Sequence, residues 1–158
     1  MVNVPFKRID DLGFWLSELR AGRAFGQRGS ISAGTGNNPH VQLFNPGGSG
    51  VTALVYAATV STTTAQQILW GFYDTALSSL HGTGVNLLRG GAAGKCDVRS
   101  QASTSLLGTL IHEQEFAASD GRILPPVWLG ELGEGEGLIV VGNTQNTLLR
   151  LGFRWVEI

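Results

Sequence analysis

The segment 149–156 alternates between large apolar side chains and polar or smaller ones. The two alternating sets are Leu149, Leu151, Phe153 and Trp155, and Arg150, Gly152, Arg154 and Val156. A period of two residues is typical of a half-buried β-strand and does not fit a helix. We therefore expect the first set to be buried, with Arg150 and Arg154 pointing outward or into a subunit interface.

Short apolar segments divided by turn residues continue this pattern upstream. Predicted strands are 40–44, 52–61, 66–74, 85–89, 95–100, 106–116, 123–129, 138–142 and 147–157. The turns between them include Asn45-Pro46-Gly47-Gly48, Gly82-Thr83-Gly84, Gly90-Gly91 and Gly142-Asn143. Eight or nine strands at this spacing predict an all-β fold, a jelly-roll-like antiparallel β-sandwich preceded by a short N-terminal amphipathic helix or arm.

The first 38 residues differ from the rest of the chain. Asp10 or Asp11 can cap a helix at 11–20, and the glycines within 26–39 predict a flexible linker. The sequence therefore predicts an N-terminal arm at 1–38 and a sandwich domain at 39–158. The helix either packs on its own domain or binds a neighbouring subunit. For the second case, the candidate assembly interface consists of Arg8, Trp15, Leu16, Leu19, Arg20 and Arg23.

Composition narrows the function classes. A net charge of −1 gives no general argument for nucleic-acid binding. Only 15% of the residues are charged, which leaves much of the surface uncharged and favours contacts between copies of the chain. The single cysteine, Cys96, cannot form an intramolecular disulfide, and its place in a strand predicts burial. No apolar run resembles a signal peptide or a membrane span, so we expect synthesis in a cytoplasm and no membrane partner.

Candidate catalytic and metal-binding patterns are incomplete. Gly94-Lys95 lacks the first glycine and the hydroxyl of a phosphate-binding loop, and His112-Glu113 lacks the second histidine of a zinc-protease signature. His40 and His81 have no carboxylate or cysteine at ligand spacing. We therefore expect no cofactor and no catalysis. A cupin-like enzyme is disfavoured because its metal needs clustered histidine and glutamate ligands.

Two alternatives stay open for the acidic and aromatic residues. Glu131, Glu134 and Glu136 form either a solvated acidic turn or a structural calcium site. Trp70, Trp128 and Trp155 predict core packing, with an exposed sugar-binding platform as the alternative. Asp74 and Asp120 belong to the loops that would surround such a platform, and nothing in the sequence places them as a hydrolytic pair.

Several turns and strands together resemble a group of tailed-bacteriophage virion proteins. The matching segments are Leu43-Phe44-Asn45-Pro46-Gly47-Gly48-Ser49-Gly50 with the strand 51–60, Leu107-Gly108-Thr109-Leu110, Ile123-Leu124-Pro125-Pro126, Gly135-Glu136-Gly137-Leu138-Ile139-Val140-Val141 and Phe153-Arg154-Trp155-Val156-Glu157. The resemblance covers residues 40–158 and carries no catalytic residue with it.

The resemblance implies a capsid decoration (cement) protein, a head fibre or a tail-attachment protein, commonly a homotrimer. No shaft repeat or coiled-coil run is present, so we favour a decoration protein on the capsid surface of the virion, bound to the major capsid protein. The alternative is a head- or tail-fibre knob that binds a host-surface glycan or receptor.

Overall fold

The computed structural model describes residues 12–124 and 130–158. Among them, one helix, α1, spans Leu12–Arg20. The strands are β1 Ala24–Ser32, β2 Asn38–Phe44, β3 Ala53–Thr62, β4 Gln66–Phe72, β5 Ser79–Thr83, β6 Val85–Asn86, β7 Asp97–Ser103, β8 Thr109–Phe116, β9 Gly121–Leu124, β10 Glu131–Leu132, β11 Gly137–Gly142 and β12 Leu148–Glu157. No helix in these ranges has the length and apolar character needed to cross a membrane.

The strands form two antiparallel sheets that pack face to face. The first has the order β10-β3-β12-β1-β6, with β9 also paired to β3, and the second has the order β5-β7-β2-β11-β4-β8. Within them, β1-β12-β3-β9 and β2-β11-β4-β8 are the two four-stranded sheets of a jelly roll. Strands β5, β6 and β7 lie between β4 and β8 in sequence and extend the sheets. The predicted all-β sandwich with a short N-terminal helix is confirmed.

The inner faces of the two sheets form one core. From β12, Leu149, Leu151, Phe153 and Trp155 are each at most 3% exposed, as the alternation predicts. Val41, Leu43 and Val140 of the second sheet belong to the same cluster. Arg150 and Arg154 are exposed, also as predicted. Val156, which belongs to the second set, is the exception and is buried.

The prediction of a flexible glycine-rich linker at 26–39 is wrong, because most of that segment lies in β1 and β2. All nine residues of β1 pair with β12, from Ala24 opposite Val156 to Ser32 opposite Leu148. A Cβ at Gly29 would lie 2.8 Å from the Val98 side chain, so this glycine lets β1 approach the second sheet. The first jelly-roll strand therefore comes from the predicted arm.

The nine predicted strands each overlap an observed one, although the part of 123–129 beyond Leu124 lies outside the described residues. Besides β1, the sequence missed β5 and β10. The side chains of β5 are mostly exposed and β10 has two residues, so neither carries a periodic apolar signal.

Candidate functional site

Helix α1 rests on its own sandwich through an aromatic contact. The ring centroids of Trp15 and of Tyr56 in β3 lie 3.8 Å apart, and Phe14 meets Trp15 edge-on at 5.1 Å. Burial raises the pKa of the Tyr56 phenol, while the positive charge of Arg154 acts in the opposite direction. Trp15, one of the candidate assembly residues, therefore packs within the domain.

The end of the helix is fixed by an ion pair. Nε and Nη2 of Arg23 donate to the two carboxylate oxygens of Glu18 at 2.6 and 2.9 Å. These hydrogen bonds are the main reason that the pKa of Glu18 is lowered and that of Arg23 is raised. Arg23 is thereby tied to the helix that it follows.

The other candidate assembly residues differ in exposure. Leu16 is 41% exposed and Arg20 is exposed, whereas Leu19 is half-buried. Arg8 lies outside the described residues. A role of the helix in assembly stays a prediction. Its exposed described members are Leu16, Arg20 and Arg23, of which Arg23 is ion-paired with Glu18.

A buried carboxylate anchors the end of β12. Glu157, 5% exposed, accepts hydrogen bonds from the backbone N–H groups of Lys95 and Cys96 at 2.8 and 3.0 Å and from Trp155 Nε1 at 3.0 Å. Burial, and then the neighbouring Glu157 charge, raises the pKa of the Cys96 thiol. Such a thiol is held protonated, which agrees with the predicted structural position of Cys96.

The acidic turn binds backbone amides. Glu134 accepts hydrogen bonds from the N–H groups of Gly48 and Gly50 at 3.1 and 2.6 Å, and Glu136 accepts one from Gly133 at 2.6 Å. In the described parts of the chain, no group of three or more histidine, cysteine or acidic residues could hold a metal ion. Glu134 and Glu136 therefore brace the neighbouring turns, a role that the sequence did not reveal, and the choice between a solvated turn and a calcium site stays a prediction.

The three histidines lie apart and have separate structural contacts. The ring of buried His40 bonds Asn38 O through Nδ1 at 3.0 Å and accepts from the N–H of Leu107 through Nε2 at 3.2 Å. These partners assign the Nδ1–H tautomer, and burial lowers the pKa of the ring. His81 bonds the hydroxyl of Ser100 at 2.8 Å, and His112 lies 5.5 Å from Trp70, ring centre to ring centre.

The structure also locates most of the aromatic and acidic residues that the sequence offered as a sugar-binding platform and its surrounding loops. Trp70 and Trp155 are buried in the core, as predicted, and Trp128 lies outside the described residues. Asp120 forms an ion pair with Arg122 at 2.6 Å, and Asp74 is exposed. Neither tryptophan that the structure places in the core is available as a sugar-binding platform.

A basic groove crosses the outer face of the first sheet. It has a volume of about 400 Å³, and its lining includes Arg28 of β1, Arg150 and Gly152 of β12, and Thr59 and Ser61 of β3. A Cβ at Gly152 would lie 2.8 Å from Thr59 Oγ1, so the absence of a side chain at this position leaves the groove open. A second depression of about 340 Å³ shares Arg28 and Arg150. The sequence predicts that Arg150 is exposed but assigns Arg28 to a linker. It therefore does not predict that the two arginines line the same groove.

A comparison with known proteins found no matching family model, no matching curated protein and no matching solved structure. The binding properties of the groove are therefore inferred from the residues that line it. Guanidinium groups beside hydroxyls can bind carboxylates or other anions by charge-assisted hydrogen bonds.

Proposed function

We propose that this chain is a structural protein of a tailed-bacteriophage virion, which decorates the capsid surface as a homo-oligomer and performs no catalysis. The observation that carries the proposal is the contact between two of the segments that resemble phage virion proteins. The turn after β2 and the turn before β11 are far apart in sequence and are hydrogen-bonded to each other.

Both backbone and side chains make this contact. The N–H of Asn45 donates to Glu136 O at 2.9 Å, and the N–H of Gly135 donates to Asn45 O at 2.8 Å. The side-chain amide of Asn45 donates to Val51 O and Leu132 O at 2.8 and 3.1 Å. Together with the hydrogen bonds that the N–H groups of Gly48 and Gly50 donate to Glu134, these contacts join the turn regions of both sheets into one rigid end.

Rigidity at this end of the sandwich is favourable for a protein that acts by presenting a binding surface. A decoration protein must keep its shape while it binds a repeating shell, and fixed turns lower the ordering cost of that binding. Three residues with side chains that can act in catalysis, Glu157, Cys96 and His40, are buried within the hydrogen-bond network.

A fibre knob that binds host glycans is the weaker candidate. Sugar binding commonly uses an exposed aromatic ring, but Trp70 and Trp155 are in the core and Trp15 packs against Tyr56. No contact among the described residues specifically favours the knob.

Reconstitution on capsids tests the proposal. Purified protein is mixed with virion heads stripped of it, and occupancy is measured by gel densitometry. We expect saturable binding that Leu16→Asp or Arg20→Glu weakens if α1 contacts the shell, whereas Leu106→Asp, at the same 41% exposure, leaves binding unchanged. Absence of binding by the folded wild-type protein would refute capsid decoration.

A further inference from the structure

We propose that the basic groove binds strand β8 of a second copy of this chain, so that copies associate head to tail. This inference rests on the homo-oligomer of the proposed function and names its interface. Self-association through these two surfaces does not require a capsid, so it can fail or succeed independently of capsid decoration. It rests on complementary charge and spacing at two separate places on the same molecule.

The basic surface consists of the groove residues Arg28 and Arg150 and of Arg154, which lies next to the groove on β12. In the pairing of β1 with β12, Arg28 is opposite Gly152, while Ser30 is opposite Arg150 and Gly26 is opposite Arg154. Arg28 therefore lies between Arg150 and Arg154 along the strands, and successive arginines are about 7 Å apart in that direction. None of the three forms an ion pair with another described residue.

The acidic surface is at the opposite sheet. Strand β8 is the last strand of the second sheet, and its Glu113 and Glu115 are both exposed. Alternate residues of a strand share a face and lie about 7 Å apart, which matches the step between the arginines. Neither carboxylate is ion-paired within the described residues.

Each surface also carries an exposed isoleucine. Ile111 of β8 is 52% exposed and precedes the two glutamates, and Ile123, which helps line the groove, is 67% exposed. Burying an apolar group beside matched charges is the usual composition of a specific protein interface. A second copy supplies the acidic strand and an exposed apolar side chain together.

The contact is heterologous, because the groove of one copy meets β8 of the next. Repetition of such a contact closes into a ring when the rotation between neighbours permits it.

Charge reversal tests this interface on the full chain. Sedimentation equilibrium measures the association of the wild type, of Arg28→Glu/Arg150→Glu and of Glu113→Arg/Glu115→Arg. We expect the wild type to self-associate and each double variant to associate at least about a hundredfold more weakly, since reversed pairs place like charges together. As a matched control, Arg89→Glu changes an exposed arginine outside the groove and should leave association unchanged.

A charge swap separates this interface from misfolding. The chain with all four reversals restores complementary charges between copies, and so does a mixture of the two double variants. Restored association in either case, with unchanged circular dichroism, supports the proposal. A monomeric wild type, double variants that associate normally, or folded swap variants that stay monomeric would overturn it. Association that ignores the arginines would point instead to pairing of two β8 edges.

Discussion

Replacing Glu157 by glutamine should cost about 3 kcal/mol of unfolding free energy. Three donors converge on this buried carboxylate, namely the N–H groups of Lys95 and Cys96 and the indole of Trp155. A hydrogen bond to a charged group contributes about 1 kcal/mol more than one between neutral groups. Glutamine keeps the size and one acceptor oxygen but removes the charge from all three bonds, which gives the sum. Glu157→Ala, which leaves the donors without an acceptor, should cost more.

Urea denaturation followed by tryptophan fluorescence measures this loss, and calorimetry should show the melting temperature lower by about 6–12 °C for a chain of this length. Glu131→Gln is the control, because Glu131 is exposed and a surface change of this kind stays within about 0.5 kcal/mol. Equal stability of the two variants would refute the anchoring role of Glu157.

Three further predictions concern the core, pH and metals. Phe153→Ala should lower the unfolding free energy by about 3–5 kcal/mol in urea denaturation, and a loss below about 1 kcal/mol would contradict its buried position. Because the pKa of His40 is lowered in the folded state, its contribution to the unfolding free energy should be full above about pH 6.5 and fall as pH drops through the folded pKa. Melting curves from pH 7 to 5 should show this loss in the wild type and in the control His81→Gln. The loss should be absent in His40→Gln. Chelation should leave the melting temperature unchanged while Glu134→Gln lowers it modestly, and a drop on chelation that calcium reverses would instead establish a metal site.

Local pattern predicted the strands whose two faces differ. β12 is the clearest case, because its apolar set meets the core and its arginines meet solvent, so sequence period and burial coincide. β1 gave no such signal, since Ala24–Ser32 carries two glycines and only Phe25 and Ile31 as large apolar residues. Its structure depends on pairing with β12 at the other end of the chain, which a local pattern cannot show.

The same limit applies to the polar contacts. An acidic loop in sequence is compatible with solvent, metal or backbone partners, and only the fold brings Gly48 and Gly50 to Glu134. Arg28 and Arg150 likewise become neighbours only through strand pairing. The residue types show which interactions each side chain can make, whereas the long-range topology determines which side chains come into contact.

Copy number on the virion tests the central claim most directly. Quantitative mass spectrometry of purified virions, with the major capsid protein as the internal standard, counts the chains per particle. Decoration of a repeating shell predicts hundreds of copies per virion, in fixed proportion to the capsid protein. A dozen copies or fewer would assign the chain to a tail or vertex fibre, and its absence from the particle would contradict a structural role in the virion.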